Sequence, residues 1–173
     1  MNTLILSSSL SKVSKSFLLC KAVEKKLLSN GVNCKLIDAR KISTQAFHMR
    51  KTKEMKILTE LIKETDNIII GMGVHCYSIN DNLKILLDNC FEFAINKFFG
   101  ILCAAGGEKS YLSTMHLTQI CMNEWRMIQL PRIVYASSKD FNGEIIKSHE
   151  LLQRIEDFSN EFYDIGSKLI HDC

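Results

Sequence analysis

A chain of 173 residues, 46% apolar and 24% charged, has the make-up of one soluble globular domain that is long enough to bury a sizeable core. Its formal net charge of +3 is too mild to mark a nucleic-acid surface, and no apolar run approaches the roughly 18 residues of a membrane span. The amino terminus lacks the charged region and small-residue cleavage site of a secretory signal, so a cytoplasmic location is expected.

Leu4–Ser7 reads as a short strand, apolar up to its serine. Ser14–Ser29 carries apolar residues at 17, 18, 22, 23, 27 and 28, which is a helical stripe, and Asn30-Gly31 supplies its stop. Val32–Ile37 is a second strand. Glu54–Glu64 is helical, with Ile57, Leu58, Leu61 and Ile62 on one face. Asn67–Met72, "NIIIGM", is a continuous apolar strand, and Asn80–Ala94 is helical through Leu83, Leu86, Leu87 and Phe91. Phe98–Ala104 is a fourth strand and Ser113–Asn123 a helix. Met127–Tyr135 reads as a fifth strand whose ladder Pro131 interrupts, and Ile145–Ile170 as a closing helix. No linker, repeat or low-complexity block separates these elements, so residues 1–173 read as a single domain.

Five apolar strands separated by helices imply a parallel sheet covered on both faces, with right-handed crossovers. Ligands of such sheets bind beyond the carboxyl ends of the strands, where strand order reverses. That rule selects three loops, Ser8–Lys15, Gly73–Asn80 and Ala105–Leu112.

In the first loop and the helix start behind it, five serines follow the first strand. A helix start exposes unpaired N–H groups and the positive end of the helix dipole, which suits a phosphate. Hydroxyls of Ser9, Ser11, Ser14 and Ser16 add hydrogen bonds, and Lys12 or Lys15 adds charge. Plain capping of the helix by Ser14 is the simpler alternative. Neither a P-loop nor the dinucleotide fingerprint is present. Gly71 and Gly73 are followed by Cys76 where a third glycine belongs, and they trail the third strand, not the first.

The second loop carries His75 and Tyr77, which could lie against a flat ligand, although a half-exposed loop histidine explains His75 as well. No second His or carboxylate sits at ligand spacing, so no metal is expected. Seven cysteines (20, 34, 76, 90, 103, 121 and 173) contain no C-x-x-C pair and read as free thiols; no Cys–His–Asn signature makes Cys76 a nucleophile. In the third loop Gly106-Gly107 permits close backbone approach to a ligand, or simply marks a turn.

At these loops the sequence resembles the NAD(P)H-dependent FMN reductase family of flavodoxin-like proteins. The family's opening motif, G-S-x-R-x-x-S-x-[NS], is matched by "SSLSKVSKS" at Ser9, Leu10, Ser14 and Ser16. Its second motif, T-P-x-Y-N-G-S-I-P-G-x-L-K-N-x-L-D, is matched by "GMGVHCYSINDNLKILLD" at Ser78, Ile79, Leu83, Lys84, Leu87 and Asp88. Ala105–Gly107 matches its glycine-rich turn, and "VYASSKDF" the segment after its fifth strand. Three departures stand out. Ser11 replaces the phosphate-binding arginine, Cys76-Tyr77 replaces Asn-Gly, and Asn80-Asp81 replaces Pro-Gly.

The resemblance implies an α/β flavodoxin-like three-layer sandwich with a five-stranded parallel sheet in the order 2-1-3-4-5. It implies FMN as cofactor and NADPH or NADH as hydride donor, with a flavin, quinone, azo dye or similar small molecule as acceptor. Ser9, Ser11, Ser14 and Ser16 then hold the phosphate. Gly73, Val74, His75, Cys76, Tyr77 and Ser78 frame the isoalloxazine, and Ala105, Gly106 and Gly107 approach its edge by backbone. The chemistry belongs to the cofactor, so no side chain is assigned a catalytic role. A homodimer or homotetramer is implied as well. Two rivals are a flavodoxin-like one-electron carrier and an interaction protein with weak or lost FMN binding. The basic, serine-rich character argues against the carrier, and the missing arginine favours the interaction protein.

Overall fold

The computed structural model describes residues 1–171, so Cys173 lies outside the described residues. The strands are β1 (Asn2–Ser7), β2 (Asn33–Asp38), β3 (Asn67–His75), β4 (Ser78–Ile79), β5 (Phe98–Ala104), β6 (Ile128–Gln129), β7 (Val134–Ala136), β8 (Phe141–Asn142) and β9 (Ile145–Ile146). The helices are α1 (Lys15–Ser29), α2 (Lys53–Glu64), α3 (Asp81–Cys90), α4 (Thr114–Trp125) and α5 (His149–His171).

The main sheet is parallel and runs β2-β1-β3-β5, with β6 and β7 one after the other along the far edge of β5. Counting those two pieces as one strand gives the expected order 2-1-3-4-5. The break between them falls at Pro131, which has no N–H to give the ladder. Helices cover both faces. Leu4, Leu6, Ile68, Ile70, Phe99 and Ile101 pack with α2, α3 and α4, while Ile5, Ile69 and Leu102 pack with α1 and α5. The alternation along each strand is what divides one apolar run between two cores.

Helix ends follow local chemistry. Ser14 caps α1, and the helix closes with the Gly31 N–H on Leu28 O at 3.0 Å and the Val32 N–H on Leu27 O at 3.0 Å. Gly31 takes φ +79 there, a conformation that favours glycine. Three segments depart from the sequence reading. The helix expected over Asn80–Ala94 is α3, which ends at Cys90, followed by a 3-10 turn over Phe91–Phe93. The helix expected from Ile145 starts at His149, because Ile145-Ile146 pairs instead with Phe141-Asn142 around Gly143, which takes φ +58. The third strand does not end at Met72. It runs on to His75 and folds back as β4, so part of the second loop is a hairpin.

Candidate functional site

In the sheet register Ser7 lies opposite Gly71, Gly73 opposite Ala104, and Ala104 opposite Ala136. The segments leaving β1, β3, β5 and β7 therefore emerge side by side on the carboxyl edge. The chain turns from β1 to β2 on one side and reaches β3 on the other, so this edge holds the point where strand order reverses.

A cleft of about 210 Å³ opens there. From the first loop Ser9, Ser11, Ser14 and Ser16 line it, from the second Gly73, Val74 and His75, and from the third Ala105 and Gly106. Cys76, Tyr77, Ser78 and Gly107 are not among its lining residues. Val13, Lys15, Ala104 and Ser138 line it as well. Of these, Ser138 went unnoticed in the sequence, although it sits inside "VYASSKDF".

The first loop is internally tied. Ser14 Oγ accepts the Phe17 N–H at 3.1 Å and lies 3.1 Å from Ser16 Oγ, so the capping role of Ser14 is real and both hydroxyls are buried. The Ser11 N–H donates to Ser9 Oγ at 3.3 Å, and Ser11 Oγ donates to Val13 O at 3.1 Å. From outside, Arg40 Nη1 donates to Lys12 O at 2.9 Å while the guanidinium forks onto Asp38 and lies 4.7 Å from the Phe17 ring centroid. Burial pushes the Asp38 carboxyl up, but the Arg40 hydrogen bonds outweigh it and hold the group below its ordinary value.

Behind the loop is a knot that the sequence did not announce. Ser8 Oγ lies 2.9 Å from Gly71 O and 2.8 Å from Asn80 Oδ1. Asn80 Nδ2 and Asn82 Nδ2 both donate to Ser8 O, at 3.1 and 3.2 Å, and the Gly73 N–H donates to Asn80 Oδ1 at 3.3 Å. Asn80 occupies the cap position of α3 but makes no side-chain cap bond, because its amide serves the first loop instead.

In the second loop His75 pairs with Ser78, and Cys76 and Tyr77 form the two-residue turn between them, at φ +48 and +60. Two positive φ values define the type I′ hairpin turn, whose favoured sequence is Asn-Gly. The Tyr77 hydroxyl donates to Lys109 O at 3.0 Å, which turns its ring toward the third loop. His75 Nδ1 lies 3.4 Å from Asp81 Oδ1, and Ser78 Oγ lies 2.8 Å from His116 Nδ1 on α4.

The third loop is held from both flanks. Besides Tyr77, the Tyr135 hydroxyl donates to Gly107 O at 2.6 Å, Tyr111 meets Tyr135 edge-on, and Glu108 pairs with Lys139. Burial raises the Tyr135 phenol above its ordinary value, so it remains a donor at neutral pH. Neither Gly106 nor Gly107 has a positive φ, and a Cβ at either would meet nothing within 4 Å. The protein's own backbone and packing therefore require glycine at neither position. What a side chain there would obstruct is the open space beside the cleft.

That space suits a phosphorylated, flat cofactor. The helix start offers N–H groups that have no intrahelical partner, five serines and one lysine line it, and Gly73 and Gly106 leave backbone open on the other side. Other hollows lack this chemistry. One of about 940 Å³ lies between α3 and α4 against Leu87, Ile120 and Trp125, and one of about 360 Å³ lies at the amino ends of β1 and β2. Among the described residues no group of three or more His, Cys, Asp or Glu side chains could hold a metal ion. Nor is any described helix long and apolar enough to cross a membrane.

The family model described as NADPH-dependent FMN reductase matches residues 1–142. Among curated proteins none matches the sequence. Solved structures do. An oxidoreductase from Corynebacterium diphtheriae aligns at 18% identity and TM-score 0.74, covering 97% of this chain and 98% of its own. A flavoenzyme NAD(P)H:(acceptor) oxidoreductase from Paracoccus denitrificans aligns at 13% identity and TM-score 0.77, covering 96% and 97%. An NAD(P)H:quinone oxidoreductase from Methanothermobacter marburgensis aligns at 14% and 0.64, covering 92% and 97%. At these identities the structures speak for the fold, which is flavodoxin-like. The family match spans most of the chain, and the chain belongs to the NADPH-dependent FMN reductase family.

Proposed function

We propose that this member of the NADPH-dependent FMN reductase family binds FMN in the cleft between its three loops and oxidises NADPH or NADH, delivering the electrons to a small flavin- or quinone-like acceptor. The observation that carries the reading is the meeting, in one cleft, of a serine-lined helix start with Gly106, a glycine that the fold itself does not need.

Ser9, Ser11, Ser14 and Ser16 and the first N–H groups of α1 bind the phosphate. About 210 Å³ is below the roughly 300–1,000 Å³ of a typical ligand site. The cleft would therefore hold the phosphate and sugar-alcohol chain, and residues 73–78 and 105–107 would frame the ring at its rim. FMN, when bound, supplies the chemistry, taking a hydride from nicotinamide and passing electrons on. The chain supplies position and exclusion of water. Val74 offers apolar surface beside the ring, Tyr77 and Tyr135 hold the third loop in place, and no side chain is required as acid or base. We infer further a single FMN-binding domain from the chain's length and unbroken alternation of elements, a cytoplasmic location from its composition, and a homodimer or homotetramer on the resemblance alone.

The test is titration of the purified protein with FMN, followed by NADPH and NADH oxidation with and without the flavin. Flavin fluorescence quenched on binding, with donor oxidation that depends on bound FMN, supports the reading. Binding without donor oxidation replaces it with an electron carrier, and absence of binding replaces it with an interaction protein.

A further inference from the structure

We propose that Lys15, positioned by Ser138 and Phe141, supplies the positive charge that holds the phosphate of the cofactor in this chain. The proposal rests on the FMN reading above and assigns one residue within it.

A phosphate dianion in the cleft needs a countercharge. Of the side chains lining the cleft, only Lys15 and His75 can carry one. His75 sits at the end of β3 with Asp81 Oδ1 3.4 Å from its Nδ1, so a carboxylate already answers any charge it takes up. Lys12 does not line the cleft, and Arg40 is occupied by Asp38 and by Lys12 O. Ser11 closes on its own loop through Val13 O.

Lys15 differs from the paired lysines elsewhere. Lys26, Lys51 and Lys139 each meet a glutamate, which cancels their charge. Among the described residues Lys15 Nζ meets only neutral groups, donating to Ser138 Oγ at 3.0 Å and lying 5.5 Å from the centroid of the Phe141 ring. An ammonium has three donors, so Ser138 leaves two for a ligand. A free lysine is a flexible point charge that loses rotamer entropy on binding. Here two contacts from a distant segment of the chain fix the stem in advance. Ser138 is itself fixed, because the turn it opens is closed by a reciprocal cap in which the Ser137 N–H and Oγ both reach Asp140 Oδ2, at 2.7 and 3.1 Å. Lys15 and Ser138 both line the cleft, together with the serines of the first loop.

The experiment compares FMN with riboflavin, which lacks the phosphate, by fluorescence-quenching titration of the apo-protein at low and high salt. Lys15→Met is expected to weaken FMN binding about tenfold, the loss of one charge-assisted bond, to flatten its salt dependence and to leave riboflavin unchanged. Lys15→Arg keeps the affinity, Lys12→Met changes nothing, and Ser138→Ala gives a smaller loss with FMN alone. If Lys15→Met leaves FMN binding unchanged, or weakens both flavins equally, the assignment fails while the FMN reading stands. Wild-type protein that binds neither flavin overturns the FMN reading and the assignment with it.

Discussion

The phenol of Tyr77 donates to the main-chain carbonyl of Lys109 across 3.0 Å, joining the hairpin after β3 to the glycine-rich loop after β5. The residue that makes this link has φ +60, and its neighbour Cys76 has φ +48. A side chain in the left-handed region costs roughly 1–2 kcal/mol per residue. Tyr77 recovers part of that cost through its hydroxyl, whereas the Cys76 side chain makes no hydrogen bond among the described residues to offset it. Cys76→Gly should therefore raise stability by about 1 kcal/mol, or ~2–4 °C in Tm for a domain of this size. Tyr77→Gly should gain less, because it relieves the same strain but releases Lys109. Thermal melts of both variants check this, and a Cys76→Gly protein that melts below wild type would refute it.

Asn80 is 1% exposed and ties Ser8 to Gly73 through three hydrogen-bonded contacts. Asn80→Ala strands the Gly73 N–H and removes one donor from Ser8 O. Each stranded buried group costs ~1–3 kcal/mol. The expected loss is about 2 kcal/mol, seen as a lower urea midpoint at unchanged slope. FMN binding should weaken too, since the knot fixes the start of the first loop. A change below ~0.5 kcal/mol would mean that water replaces the lost bonds.

The cysteines separate by environment. Burial pushes the thiols of Cys34 and Cys90 up to about 11 and those of Cys103 and Cys121 up to about 12, and raises Cys20 as well. Thiolate is the reactive form, so these sites are inert near neutral pH. Cys76 is exposed. Brief iodoacetamide treatment at neutral pH, read by peptide mass spectrometry, should label Cys76 and spare Cys20, Cys90, Cys103 and Cys121 until the protein is unfolded. Cys76→Ser should oxidise NADPH as wild type does. Early labelling of Cys103 or Cys121 would show that the core opens more readily than its packing implies.

Apolar runs and their periods were enough to place the main parallel strands, because a strand buried on both faces has little other sequence it can carry. The carboxyl-edge rule then singled out the three loops that do converge on the cleft. The internal wiring of the site was not legible. Asp38 and Arg40, at the end of the second strand and just after it, look like any surface pair until the fold brings Arg40 against Phe17 and Lys12. Asn80 reads as an ordinary helix cap, and its partner Ser8 lies 72 residues earlier. The hairpin at Cys76-Tyr77 has no sequence signal, since its turn uses residues that the type I′ geometry disfavours. Ser138 was hidden because its role depends on a lysine more than a hundred residues away.

Ser11 bears on the charge of the whole site. It lines the cleft, yet its hydroxyl donates to Val13 O, and it brings no positive charge. A neutral hydrogen bond contributes about 1 kcal/mol and a charged one roughly 1.5–3 kcal/mol. An arginine at this position adds a planar fork that matches a phosphate. Ser11→Arg should therefore tighten FMN binding by about tenfold and steepen its salt dependence, with riboflavin unaffected. Its effect should be larger in a Lys15→Met background, where it restores the only cation on the phosphate side. Two independent cations give equal gains in both backgrounds, whereas two that serve one phosphate give unequal gains. Fluorescence-quenching titrations of the four proteins at low and high salt decide it. If Ser11→Arg leaves FMN affinity unchanged in both backgrounds while the fold is intact, residues 8–16 do not hold the phosphate.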